Sequence, residues 1–472
     1  MKDTICALAT PQGGAINIIR VTGPQAISIV DNIFTPRKGE RLSQRKSHTV
    51  IFGDIYTAPD EVLDEVLVTV MRAPHSYTGE DSVEISCHAS PYITQQLLLT
   101  LFDNGARQAD AGEFTMRAFM NGKMDLSRAE AVADLISASS RAAHRLALNQ
   151  LKGGFSQQLS QLRDKLLKLT SLMELELDFS EEDVTFADRS QLLTLCEEIE
   201  GVMTRLVQSF SIGNAVKNGI PVAIVGETNT GKSTLLNALL HEDRAIVSDV
   251  QGTTRDTIEG MMTLSGVTFR FIDTAGLRET FDVVEQMGIE RTLEQLSKSY
   301  IALWMIDPLQ APETIEELAK RLLPMCHDKH LAVLVNKCDV VDPIALSNVM
   351  RQGRELVHKY GKGAIWEEND LWAISARLGT NMYHLEEFLV RSAAMPNISN
   401  HDVVVTNARH YEALKRALAN INDVKRALAD GLSGDLVSES LRAAIRCLSE
   451  IVGEISCDDV LGSIFANFCV GK

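Results

Sequence analysis

The chain has 472 residues, 45% of them hydrophobic, and a formal net charge of −17; that length exceeds what one core holds and predicts about three domains. So acidic a balance argues against a protein that coats nucleic acid by charge alone, and no apolar run approaches the ~20 residues of a membrane helix. The eight cysteines are scattered without a CxxC pair, which suggests neither a zinc site nor a disulfide framework but small buried apolar residues.

The opening MKDTICALATPQGG carries no signal-peptide or transit-peptide pattern, so a cytoplasmic protein is expected. Residues 1–118 mix strand-like runs (AINIIRV, EVLVTVM, DSVEIS) with turn signals such as TPQGG and YTGED, predicting a compact α+β domain. Within it PRKGERLSQRK, at 36–46, is a dense basic stretch, read first as a solvated loop with a nucleic-acid patch as the alternative.

From about 119 the texture turns helical. Ser127-Arg-Ala-Glu130 reads as a capping box, followed by Val132, Leu135 and Ile136 on one helical face. After the breaker Gly153-Gly154, Leu159, Leu162, Leu166, Leu169 and Met173 step by three and four, the stripe of a long packed helix. The acidic run ELELDFSEED at 174–183 reads as a solvated face and a turn.

Residues 216–385 alternate buried strands with amphipathic helices, an α/β pattern. Helical texture then returns with the stripe Leu414, Leu418, Ile421, Val424 and Leu428, broken at GLSGD before LRAAIRCL. Two helical blocks, 119–215 and 386–472, flank the α/β unit, so that unit is expected as an insertion in a discontinuous helical domain.

The strand-like IPVAIV (220–225) runs into Gly226-Glu-Thr-Asn-Thr-Gly231-Lys232-Ser233 and then a helix, the phosphate-loop pattern in its proper setting. Its glycines let backbone amides wrap phosphates, Lys232 reaches the β/γ oxygens, and the Ser233 hydroxyl suits Mg²⁺. QGTTRD at 251–256 offers Thr254 to the same ion. TFRFID leads to Asp273-Thr274-Ala275-Gly276, with Asp273 behind the magnesium and the Gly276 amide toward the γ-phosphate. LAVLV ends at Asn336-Lys337-Cys338-Asp339, where a carboxylate accepts from N1 and N2 of guanine, a donor pair adenine lacks. LWAIS ends at Ser375-Ala376-Arg377, which backs the base. Five elements in order predict a GTP-binding domain, its contacts completed by Thr230 and Thr234. One residue is out of place: Leu277 follows the DxxG, where Ras-type GTPases carry a water-orienting glutamine.

The whole chain resembles the MnmE (TrmE) tRNA modification GTPases. The resemblance rests on DTICALATPQGGAINIIRVTG, SYTGEDSVEISCH, AGEFTMRAFMNGKMDLSRAEAVADLI, DTAGLRE and IVGEISCDDVLGSIFANFCVGK. It departs from the usual pattern at Glu227-Thr228, where arginine and proline are common, and at SCDD, where two threonines are. It implies an N-terminal tetrahydrofolate-binding-like domain, a discontinuous helical domain and an inserted Ras-like P-loop GTPase domain. It further implies that Asn229, Ser248, Val250 (through its carbonyl) and Thr253 bind K⁺ in place of an arginine finger. By alignment Glu285 orients the water, with Glu279 the alternative. The implied folate site uses Arg20, Glu80, Lys123 and Lys472 for a 5-formyltetrahydrofolate-type one-carbon donor, and Cys469 takes part in modification. The implied partners are GTP, tRNA, a flavin-dependent protein and a second copy of the chain, with no membrane. The competing class is a binding switch, such as a ribosome-assembly GTPase or a septin-like scaffold.

Overall fold

A computed structural model describes residues 3–11, 13–58, 61–178, 189–241, 260–272, 296–393, 403–430, 434–454, 458–466, 468 and 470–471. The chain divides into two compact units, one of residues 1–133, 150–200 and 413–472, the other of 134–149 and 201–412. No helix among the described residues is long and apolar enough to cross a membrane.

The first unit is built on a seven-stranded sheet of order β3-β4-β5-β6-β2-β1-β7. Its strands are β1 (Ile5–Leu8), β2 (Ile16–Thr22), β3 (Phe34–Pro36), β4 (Thr49–Ala58), β5 (Glu61–Met71), β6 (Ser82–His88) and β7 (Arg107–Gln108). The three strand-like runs read from the sequence fall on β2, β5 and β6. Alternation in β6 buries Val83, Ile85 and Cys87 against α1 (Ala26–Ile33) and α2 (Pro91–Asp103), whose Val30, Leu97 and Leu101 close the core. Cys6 and Cys87 behave as core: burial pushes the Cys6 thiol up to about 12.

A charged knot ties the sheet to α3 (Glu113–Met120). Arg117, only 1% exposed, donates to Asp3 Oδ1 (3.0 Å), Glu80 Oε2 (3.1 Å) and Glu113 Oε1 (2.9 Å). Arg107 holds the other side, 2.6 Å from both Asp3 and Glu113. Burial alone would raise the Glu113 carboxyl, but hydrogen bonds from Arg107, the Asp110 amide and Arg117 overturn that and hold it below the usual carboxylate range. Asp3 is lowered chiefly by its bond from Arg107. A carboxylate held below its unfolded pKa stabilises the fold in full above that value and loses the contribution as pH falls through the native one. The first unit should therefore weaken below about pH 4, and Glu113→Gln should flatten that limb of the stability profile, measured by circular dichroism against pH.

Helices follow the sheet along the chain. α4 (Leu126–Ser137) starts two residues earlier than a capping box at Ser127 allows. The Asp125 carbonyl accepts from the Ala129 amide and its carboxylate from the Arg128 amide (3.0 Å each), so Asp125 is the cap. The Ser127 hydroxyl bonds Asp125 and Ser156 instead. The buried face differs accordingly: Leu126 and Ala129 pack with Leu461 and Phe465, whereas Val132 and Leu135 are half-buried and Ile136 is exposed. Gly153 takes φ +88° between α5 (Arg141–Leu151) and α6 (Gly154–Asp178), as a breaker should. The α6 stripe Leu159, Leu162, Leu166, Leu169 and Met173 is buried, and the helix continues into the acidic run as far as Asp178. In α12 (Ala408–Ala429) Leu414, Ile421, Val424 and Leu428 are buried and Leu418 half-buried.

The second unit holds a six-stranded sheet of order β13-β12-β11-β8-β10-β9. β9 (Gly260–Leu264) is antiparallel to β10 (Val267–Phe271). β8 (Ile220–Val225), β11 (Ile301–Ile306), β12 (His330–Val335) and β13 (Leu371–Ala373) run parallel with β10. β11 reads IALWMI and is buried at every position, as a strand covered on both faces must be. The connecting helices are α8 (Lys232–His241), α9 (Pro312–Leu322), α10 (Pro343–Tyr360) and α11 (Met382–Ser392). α10 opens with Pro343 and an Asp342 cap that accepts from the Ile344 and Ala345 amides.

Candidate nucleotide-binding site

The carboxyl ends of neighbouring parallel strands are where an open α/β sheet binds ligands. β8 ends in the glycine-rich loop and α8 starts at Lys232, so the loop delivers helix N-terminal amides toward any anion seated there. Gly226 packs so tightly that an added Cβ would lie 2.5 Å from the Met305 carbonyl oxygen on β11. Gly231 takes φ +95°, and a Cβ there would lie 2.3 Å from Asn336 Nδ2. Asn229 is left-handed at φ +61° and exposed on the loop rim, a conformation asparagine tolerates well. The buried Thr230 hydroxyl donates to the Glu227 carbonyl (2.9 Å).

Lys232 Nζ donates to the carbonyls of Gly226 (2.8 Å) and Glu227 (2.7 Å). Burial lowers its pKa, and the Glu227 carboxylate acts in the opposite direction. Removed from water, this ammonium gains more from an arriving phosphate than a solvated lysine would. Ser233 and Thr234 follow in the first turn of α8.

The loops after β12 and β13 dock onto this cradle. Asn336, 3% exposed at the end of β12, donates from Nδ2 to the Thr230 carbonyl (2.8 Å) and accepts the Ala376 amide at Oδ1 (3.0 Å). One side chain thus joins the phosphate loop, β12 and the loop after β13. Ser375 is buried, pairs through its backbone with Thr380, and its hydroxyl accepts from the Leu378 amide; Arg377 and Asp339 are exposed. Lys337, left-handed at φ +63°, is bound through Nζ to Asp307 Oδ2 at 2.6 Å.

Asp307 was missed in the sequence reading. Its signal is an acid directly after the wholly apolar β11, at the sheet end that carries the loops; it is 6% exposed and also accepts from the Leu309 amide. Ser248, Val250, Thr253, Thr254, Asp273, Thr274, Ala275, Gly276, Leu277, Glu279, Glu285, Cys469 and Lys472 lie outside the described residues.

In the first unit, Arg20 on β2 is 2.8 Å from Glu84, donates to the Gly471 carbonyl, and lies over the rings of Tyr77 and Phe114 at 5.6 and 5.5 Å. Glu80 is held by Arg117, and Lys123 Nζ donates to the Pro74 carbonyl (2.8 Å). Arg20 and Lys123 both touch the loop that carries Glu80, through Tyr77 and Pro74, but no contact joins the three among the described residues.

The largely parallel sheet, its glycine-rich loop and the loops docked on it define a P-loop domain of the GTPase fold. The model of the MnmE helical domain matches residues 126–469, and that of the GTP-binding protein TrmE N-terminus matches residues 4–123. The tRNA modification GTPase MnmE of Bacteroides thetaiotaomicron is 53% identical over 472 residues, all of both chains. Its counterpart in Bacteroides fragilis is 54% identical, again over all of both chains. The chain belongs to the MnmE (TrmE) family. Among solved structures, Era in complex with MgGDPNP and 16S ribosomal RNA is 28% identical over 42% of this chain and 65% of that one, at a TM-score of 0.28 too low to add weight.

Proposed function

We propose that this chain binds and hydrolyses GTP and couples turnover to modification of tRNA at C5 of the wobble uridine. The observation that carries the reading is the Asn336 junction, which locks a phosphate cradle to a guanine-reading loop. Family membership supports the tRNA part, because the relatives at 53 and 54% identity are tRNA modification GTPases over their full length.

In this reading Lys232 and the α8 amides hold the β- and γ-phosphates, while Asp339 accepts from N1 and N2 of guanine. Ser233 and Thr254 would hold Mg²⁺. Asn229, exposed on the loop rim, fits a cation ligand, with Ser248, the Val250 carbonyl and Thr253 completing a K⁺ site. When bound, potassium supplies fixed positive charge where an arginine finger otherwise would. Glu285, or Glu279 in its place, orients the water that Leu277 cannot. The first unit would hold a formyltetrahydrofolate-type donor with Arg20, Glu80, Lys123 and Lys472; the Arg20 guanidinium between two aromatic rings favours a planar, acidic ligand. Cys469, a flavin-dependent partner, a homodimer and a cytoplasmic location complete the proposal. Its domains are 1–118, 119–215, 216–385 and 386–472.

Three measurements bear on it. Asp339→Asn exchanges an acceptor for a donor, so it should lose guanine affinity by a hundredfold or more and gain xanthosine triphosphate, which presents an acceptor at C2; a variant still selective for guanine would refute the assigned base contact. GTP turnover should be fast in potassium and slow in sodium, and equal rates would remove the cation from the mechanism. Nucleoside analysis of tRNA from cells lacking the chain should show unmodified wobble uridine; unchanged nucleosides favour the binding-switch reading.

A further inference from the structure

The basic stretch at 36–46 is a solvated loop, as its composition suggests, but its backbone is pinned. The buried Asp31 carboxylate accepts the Leu42 amide (2.8 Å) and the Ser43 amide (3.4 Å), and Leu42 is fully buried beneath the loop. Arg45 donates to the carbonyls of Glu40 and Lys38 (3.1 Å each). From β5's far end, Arg72 donates to the Ser43 and Arg45 carbonyls at 2.6 and 3.0 Å. Two arginines therefore spend their hydrogen bonds on carbonyls, which fixes the backbone without neutralising their charge.

The remaining cations face water. Lys38, Arg41 and Lys46 are exposed, and among the described residues no carboxylate pairs with any of them or with Arg45 and Arg72. Arg37 differs: Asp54 and Glu65 hold it, and it contributes little net charge. A preorganised cluster of unpaired cations is unusual on a chain of net charge −17. On such a chain the overall field repels a polyanion, so any polyanionic partner must be met on a locally positive surface.

We propose that the fixed loop 36–46 is a docking surface for the phosphate backbone of RNA, contacted by Lys38, Arg41 and Lys46. The choice of RNA rests on the tRNA reading above. The contact is sequence-independent: these side chains position the RNA and read no base. Holding the loop rigid beforehand lowers the ordering cost of binding.

The test uses the full-length chain and an unmodified tRNA transcript bearing a wobble uridine. Binding is titrated across salt concentrations for the native chain and for the triple variant Lys38→Glu, Arg41→Glu, Lys46→Glu. Each lost phosphate contact removes nearly one unit from the slope of log K against log salt, so the slope should become shallower by about 2 to 3, with affinity on the order of a hundredfold weaker near 0.15 M salt. GTP affinity and thermal unfolding should not change, because the three side chains are exposed and none belongs to the nucleotide site. Native binding with an unchanged slope in the variant overturns the surface alone. No tRNA binding by the native chain overturns the substrate reading, and the surface with it. Loss of binding to anionic phospholipid vesicles, with tRNA binding intact, assigns the loop to a membrane and also overturns the proposal.

Discussion

Gly231→Ala should weaken GTP binding by at least a hundredfold. The residue sits at φ +95°, where a side chain is strained by roughly 1–2 kcal/mol. The larger effect is steric, because the new Cβ would lie 2.3 Å from Asn336 Nδ2. Asn336 has no room to withdraw, being held by the Thr230 carbonyl and the Ala376 amide. Breaking either bond leaves a buried polar group unsatisfied, at a cost of about 1–3 kcal/mol. The methyl group therefore disconnects the glycine-rich loop from the loop after β13, and a loss of at least a hundredfold in GTP affinity should appear in a fluorescent-nucleotide titration. Gly266→Ala is the control. It too has positive φ, at +80°, but nothing lies within 4 Å of its Cβ. It should cost stability and leave nucleotide affinity intact; equal losses from both variants would reduce the Gly231 effect to backbone strain.

Arg117→Met should destabilise the first unit by about 3–5 kcal/mol, the range for removing one partner from a buried charge cluster. Methionine fills the volume, so the loss reports charge and not a cavity. Glu113, 2% exposed, keeps Arg107, but Glu80 loses the one cation that pairs with it among the described residues, and the Asp3 carbonyl loses a donor. The three tryptophans, Trp304, Trp366 and Trp372, all belong to the second unit. Circular dichroism should therefore show an early transition that tryptophan fluorescence does not, and a coincident shift in both signals would contradict an effect confined to the first unit. Glu113→Gln combined with Arg117→Met should recover part of the loss, since the two act as one unit.

The strand–loop–helix frame of the P-loop domain was legible because its requirements are local. A strand, a glycine loop and a helix follow one another in 220–241, and NKCD and SAR each end a strand that hydrophobic runs announce. The long α6 stripe was legible for the same reason, a period repeated over many turns. What escaped depends on partners far along the chain. Arg117 owes its burial to Asp3, 114 residues earlier, and Glu80, neither of which the local sequence around it announces. Asp307 gains its meaning only from Lys337, 30 residues on. The α4 cap moved from Ser127 to Asp125 because two competent caps stand two residues apart, and packing of Leu126 on Leu461 and Phe465 selected the earlier one. In the loop at 36–46, composition revealed the charge, while Asp31 and Arg72, which make the loop rigid, lie outside the stretch.

The makeup of the first unit sets an order for folding during synthesis. Val470 forms a β-bridge with Ala111, Gly471 lies against the Leu8 carbonyl, and Arg20 donates to Gly471. These partners are separated by some of the longest spans in the chain. The N-terminal sheet can assemble as soon as it leaves the ribosome, yet its Arg20 stays without the Gly471 carbonyl until residues 134–470 have been made. Over that interval the apolar faces of α6 wait for α13 (Gly434–Val452), its main helical neighbour. Newly made chain is therefore most open to misassembly after the six-stranded sheet is complete, and chaperone demand should peak late in translation.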